Sequence, residues 1–141
     1  MRALLDANIL LDVLLGRVPW QSEADSILHA SREGRLITVV SALTIANAFY
    51  VGRRSVGTEA ARSGVRECLA AFEVVALDRD LLEAADAWPG SDFEDNIQVE
   101  SAIRAGVDCI VTRDPRGFAG SPISVLTPAD LLTLLQEGDD A

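Results

Sequence analysis

Short apolar runs alternate along this chain with longer stretches whose apolar residues recur at helical spacing. The first run, ALLD at 3–6, ends in a carboxylate and predicts a strand. Ile9, Leu10, Val13 and Leu14 then predict a helix, which Gly16 and Pro19 break. Residues 20–33 predict a second helix, with Trp20, Ala24, Ile27 and Leu28 on one side and Gly34 as its C-terminal stop. LITVV at 36–40 is a buried strand by its β-branched content. Ser41 opens a helix carrying Leu43, Ile45, Phe49 and Tyr50, and Thr58 is the expected cap of another that runs to about Ala71. FEVVAL at 72–77 is the third strand, and Asp78 caps a helix that stops near Trp88 and Pro89.

Within 91–106, SDFEDNIQVESAIRAG, Ser91 and Glu94 have the spacing of a capping box and Gly106 closes the helix. CIVT at 109–112 and ISVL at 123–126 are the last strands, separated by a DPRG turn at 114–117. Thr127, Pro128 and Asp130 start the final helix, and residues 137–141 read as a frayed tail. Strands that are apolar throughout, each followed by a helix, predict one α/β domain over 1–141, a three-layer sandwich around a mostly parallel sheet. The 141 residues suit one core, and no apolar run is long enough for a bilayer.

Charge narrows the function. The chain has 12 basic residues, all Arg, against 22 acidic ones, for a net charge of −10. Fifteen of the acids fall in residues 71–141, so bulk attraction to a duplex is excluded. A local Arg rim with bound cations remains compatible with a nucleic-acid substrate. Cys68 and Cys109 show no disulfide pattern, and a reducing, cytoplasmic compartment is the simpler reading. His29 stands alone, no Gly-rich phosphate loop is present, and the absence of Lys argues against a phosphoacceptor receiver. A haloacid-dehalogenase-type phosphatase would want D-x-D after the first strand, where this chain has Asp6-Ala7-Asn8.

Parallel topology brings distant acids together. Asp6 closes the first strand, Asp114 follows the fourth, and Asp95 opens the helix that leads into the fourth. All three come to one sheet edge, with Asn47 near the start of the helix after the second strand. Three carboxylates without Lys need a proton or a cation among them. Oxygen donors suit Mg²⁺ or Mn²⁺, and an ion so held suits phosphodiester hydrolysis by an oriented water. Each residue also has a plain structural use: Asp6 as a strand end, Asp114 as a turn residue, Asp92 and Glu94 as first-turn acids, and Asp12 as a surface or intrahelical partner. Asn8, Ser41, Thr44, Asp92 and Thr112 are candidates to support the acids, and Arg17, Arg53, Arg113 and Arg116 are candidates for substrate phosphates.

The stretches LLDANILLDVLL, SALTIAN, DFEDNIQVESAIRAGVDCIVTRD and SVLTPADLL, in this order, resemble PIN-domain proteins, and more narrowly the VapC-type ribonuclease toxins of toxin–antitoxin pairs. The resemblance implies a five-stranded parallel sheet of order 3-2-1-4-5. It also implies a Mg²⁺- or Mn²⁺-dependent endoribonuclease with Asp6, Asp95 and Asp114 as metal ligands and Asn47 completing the catalytic set. A homodimer and a small antitoxin partner are implied as well. Many members carry Glu where this chain has Asn47; the amide brings no charge, so metal affinity should fall, with Asp92 the candidate to compensate. The rival expectation is a non-catalytic PIN-like domain that binds a partner.

Overall fold

The computed structural model describes residues 1–140. In chain order the elements are β1 (Arg2–Leu5), α1 (Ala7–Leu14), α2 (Gln21–Arg32), β2 (Ile37–Ser41), α3 (Ala42–Val56), α4 (Thr58–Ala71), β3 (Glu73–Val75), α5 (Arg79–Asp86), α6 (Phe93–Ala105), β4 (Cys109–Val111), β5 (Ser124–Leu126) and α7 (Pro128–Asp140). A 3₁₀ turn covers Pro115–Phe118. The five strands form one parallel sheet of order β3-β2-β1-β4-β5, as the resemblance implied.

Alternation along each strand divides the core. Ala3, Leu5, Val40, Cys109 and Val111 face one way, toward Ile9 and Leu10 of α1, Ala24 and Ile27 of α2 and Leu131 of α7. Leu4, Val39, Val75 and Ile110 face the other way, toward Leu81 and Ala85 of α5 and Ile97, Val99 and Ala102 of α6. Both faces are therefore covered by helices, which is why the strands are apolar without a break. Leu4 sits between Val39 and Ile110 in register, all three fully buried, so the central strand ends at a fixed height between its neighbours.

Two expected helix starts differ. Thr58 is the first helical residue of α4, and Gly57 at φ +89 is the N-cap without a side-chain bond. At α6 the expected Ser91–Glu94 box does not form. Asp92 is the N-cap, and its carboxylate accepts from the Asp95 N–H at 3.1 Å. A carboxylate one residue before the helix satisfies a free N–H and meets the positive end of the dipole, so it displaces the serine. Gly106, at φ +62, ends α6 with Val107 N–H on Ala102 C=O at 3.2 Å. The chain expected to fray from 137 is helical to Asp140, and residue 141 lies outside the described residues.

Leu14, the last residue of α1, is seated in a notch between α3 and α4. A Cβ placed at Gly52 would stand 2.3 Å from Leu14 Cδ2, and one at Gly64 would stand 3.3 Å from Leu14 Cδ1. A side chain at 52 would force the end of Leu14 to move. Among the described residues, no helix is long and apolar enough to cross a membrane.

Candidate functional site

The site is built around Asp6, which continues the β1 ladder through its N–H on Val111 C=O at 2.9 Å and then caps α1. One carboxylate oxygen, Oδ1, accepts from Ala7 N–H at 2.8 Å and from Gln98 Nε2 at 3.3 Å. The other, Oδ2, accepts from the Thr112 hydroxyl at 2.8 Å. Gln98 Nε2 also donates to Thr44 Oγ1 at 2.8 Å. Thr112 Oγ1 in turn accepts from Asn8 Nδ2 at 3.3 Å and from the Asp114 N–H at 3.1 Å. Thr44, Gln98 and Thr112 are buried, so these bonds form in a low dielectric and hold Asp6 in one orientation. Gln98 Oε1 is buried and has no partner.

Asp95, half-buried in the first turn of α6, faces the same edge. Burial, and after it the charges of Asp92, Asp6, Glu94 and Asp114, push its carboxyl up from 3.8 to about 6. Its carboxylate lies against the 3₁₀ turn: a Cβ at Gly117 would stand 2.8 Å from Asp95 Oδ2. Asp114 is exposed beside that turn, with Arg116 Nε 3.4 Å from its Oδ1. Both side chains of that pair are well solvated, so the tie is weak. The acids share an edge without closing into a cage. Among the described residues, no three His, Cys, Asp or Glu side chains are grouped closely enough to hold one ion.

The remaining expected residues divide. Asn8, Thr44 and Thr112 lie in the Asp6 network. Ser41 does not; its hydroxyl caps α3 by accepting from Leu43 N–H at 3.1 Å. Asp92 caps α6 and does not reach Asn47. Instead Asn47 Nδ2 donates to Glu94 Oε1. Arg113, an expected phosphate contact, is tied to an acid of α1. Its Nε is 2.6 Å from Asp12 Oδ2 and its Nη2 is 3.2 Å from Oδ1, while the guanidinium stacks 4.0 Å over Trp20. Asp12 is itself fully buried rather than a surface acid. Arg17 leans on the same Asp12 at 3.9 Å. Arg53 lies over the Tyr50 ring at 5.1 Å, about 9 Å of helix beyond Asn47. Arg116 is exposed and pairs only loosely with Asp114.

Gln98, Glu94 and Gly117 were not expected in the site. Gln98 lies one turn after Asp95 on a helix buried on several sides, among Ile97, Val99 and Ala102. An apolar cavity of about 600 Å³ lies elsewhere, lined by Leu10, Val13, Ile45, Phe49, Val65 and Cys68, and none of the site acids lines it.

Residues 2–116 match the family model described as the PIN domain. A toxin–antitoxin complex from Klebsiella pneumoniae is similar in structure, with 26% identity and a TM-score of 0.67 over 89% of this chain and 97% of that one. VapC20 of Mycobacterium tuberculosis, a sarcin-ricin loop cleaving toxin, is similar at 14% identity and a TM-score of 0.69, over 83% of this chain and 93% of its own. VapBC2 from Rickettsia felis, bound to a DNA fragment from its promoter, is similar at 14% identity and a TM-score of 0.65, over 90% and 98%. The last two likenesses are of fold. No curated protein matches the chain in sequence.

Proposed function

This chain belongs to the PIN-domain family, and from that premise we propose that it is a Mg²⁺- or Mn²⁺-dependent endoribonuclease, the toxin of a toxin–antitoxin pair. The observation that carries the reading is the fixed Asp6. Buried Thr112 and Gln98 aim its carboxylate at an edge where Asp95 and Asp114 add negative charge without a paired buried cation. Hydrogen bonds of that number around an acid that a strand end does not require point to a group held for use.

The donor set fits a hard divalent ion. Asp6, Asp95 and Asp114 offer only oxygen, and Gly117 leaves a seat for the Asp95 carboxylate. A bound ion of this class polarises a phosphate and lowers the pKa of a water. The chain's own contribution is placement. Thr112 fixes Asp6 and the backbone of Asp114 with one hydroxyl, and Gln98 ties Asp6 to α3. Arg116 is exposed beside Asp114 and is the Arg best located to meet a phosphate of the RNA. Such a substrate places the protein in the cytoplasm.

Purified protein is expected to cleave single-stranded or structured RNA with Mn²⁺ or Mg²⁺, to leave 5′-phosphate and 3′-hydroxyl ends, and to stop on chelation. No cleavage with either ion would overturn the reading. Gly117→Ala gives a finer check. The glycine has no positive φ, so the backbone accepts alanine and the new methyl meets only Asp95. Cleavage is expected to fall roughly 10-fold or more through kcat, because small misplacements of reacting groups are expensive. The urea midpoint should hardly move. Unchanged kcat would mean that Asp95 needs no seat there.

A small antitoxin protein is the proposed partner, supported by relatives solved as toxin–antitoxin complexes, and a homodimer is the proposed assembly. The second reading, a non-catalytic domain that binds a partner, draws on the uncharged Asn47 and on acids that do not close around one point. Tight partner binding by a protein that cleaves no RNA with Mn²⁺ would favour it.

A further inference from the structure

We propose that Trp20 is the platform on which an unpaired base of the RNA stacks, beside the edge where Asp6, Asp95 and Asp114 lie. This rests on the proposed nuclease reading and names a residue that grips its substrate.

Trp20 ends the segment between α1 and α2 and is 43% exposed. The Arg113 guanidinium lies 4.0 Å over its ring. Arg113 directly precedes Asp114, and its backbone N–H donates to Asn8 Oδ1 at 3.4 Å. The ring is therefore one side chain away from the strand end that carries a site acid. Asp12, which holds Arg113, is about 9 Å of helix beyond Asp6.

The segment that presents the ring is itself held. Arg17 N–H donates to Asp12 C=O at 3.0 Å, and Gln21 N–H donates to Arg17 C=O at 2.8 Å. Ala24 and Ile27 then anchor α2 in the core. A ring so fixed loses little freedom when a base lands on it.

Clamping Arg113 does not account for an indole here. Two bonds to the buried Asp12 already fix that side chain, and covering a guanidinium requires no large ring left partly in water. Trp88, the other tryptophan, shows the structural alternative. It packs against the core, and its Nε1 donates to Glu100 at 2.6 Å.

Charge favours a nucleic-acid strand at this place. Arg113 at 2.6 Å and Arg17 at 3.9 Å both face Asp12, so two cations meet one carboxylate. The spot keeps a positive charge in a chain of net −10. Arg116 is exposed three residues beyond Arg113. An exposed indole among arginines suits unpaired nucleotides, because the ring takes the face of a base and the cations take phosphates. Bases inside a duplex are already stacked and offer no such face. The substrate class is thus RNA with an unpaired base next to the bond that is cut.

The test reads Trp20 emission on the full chain, by stopped flow with Mg²⁺, before strands are cut. The probes are a single-stranded RNA of mixed sequence, an abasic strand of equal length, and a fully paired duplex. The base-bearing single strand is expected to quench wild type and not Trp20→Phe, which keeps Trp88 as the common background. The abasic strand and the duplex should quench neither. Trp20→Ala is expected to raise KM for cleavage about 10-fold with kcat little changed, and Trp20→Phe, which keeps a ring, to recover most of that loss. Equal quenching by the abasic strand would overturn the proposal, as would a fall in kcat at constant KM, which would make Trp20 only a support for Arg113. If wild type cleaves RNA while Trp20 emission stays still and Trp20→Ala keeps its KM, the proposal is wrong and the nuclease reading stands. If wild type neither binds nor cleaves RNA, both fall. Should Trp20→Ala fail to fold, the emission of wild type against Trp20→Phe decides.

Discussion

Asp95→Asn is expected to abolish RNA cleavage and, in metal-free buffer at neutral pH, to make the protein more stable than wild type. The loss of activity should exceed about 100-fold, since the variant removes an oxygen donor outright. The gain in stability follows from the raised carboxyl, which moves from 3.8 to about 6 on folding through burial and the neighbouring Asp92, Asp6, Glu94 and Asp114. A carboxyl whose folded value is above its unfolded value favours the proton in the folded state. Its contribution is intact below pH 4, is lost as pH rises through the interval from about 4 to 6, and leaves the ionised acid as a constant penalty above it. That penalty is about 1–2 kcal/mol after discounting for solvent around a half-exposed group. Asparagine does not ionise, so its advantage should be absent at pH 4 and level above pH 6.5. Thermal melts in chelator should show roughly 3–8 °C in its favour at pH 7.5. Equal shifts at both pH values would mean that the acid is not strained by its neighbours. Mn²⁺ should raise the midpoint of wild type and leave that of the variant near its metal-free value.

Arg113→Ala should be the most destabilising change outside the apolar core. Its guanidinium pairs with Asp12 through two bonds, at 2.6 and 3.2 Å, and Asp12 is fully buried. Removing Arg113 leaves that carboxylate without its short partner, with only Arg17 at 3.9 Å, and strips the stack from Trp20. Breaking a buried pair from one side costs about 3–5 kcal/mol. Urea unfolding would read it directly. Asp12→Asn combined with Arg113→Met removes both charges and should cost clearly less than the single Arg113→Ala. If the single and the double variant are equally unstable, packing rather than the ion pair holds α1 to the segment after β4. The ion pair also fixes the residue between Thr112 and Asp114, so Arg113→Ala is expected to reduce cleavage as well.

The alternation of strands and helices was legible because each strand is an apolar run and each helix carries a stripe, and both signals are local. Strand order was not local, and came from the family resemblance. That Asp6, Asp95 and Asp114 meet at one edge followed from parallel strands alone. What the sequence hid were pairings between distant side chains. The Asp12–Arg113 pair spans 101 residues and ties an expected phosphate contact to α1. The Asn47–Glu94 bond joins two helices that nothing in their spacing connects. Ser91 and Asp92 were both able to cap α6, and only the helix start at Phe93 decides between them. Gln98 was missed because α6 is buried on several sides and shows no single apolar stripe against which a polar residue would stand out.

Leu14 is at the far end of the short helix that Asp6 begins. The leucine is seated in the gap that Gly52 leaves, so α1 is held at its tail by packing and at its head by the bonds to Asp6. A methyl added at position 52 would meet the end of Leu14 and turn it toward the cavity that this side chain also lines. The void beside the helix would then absorb the intrusion, and the tail could yield while the head keeps its place.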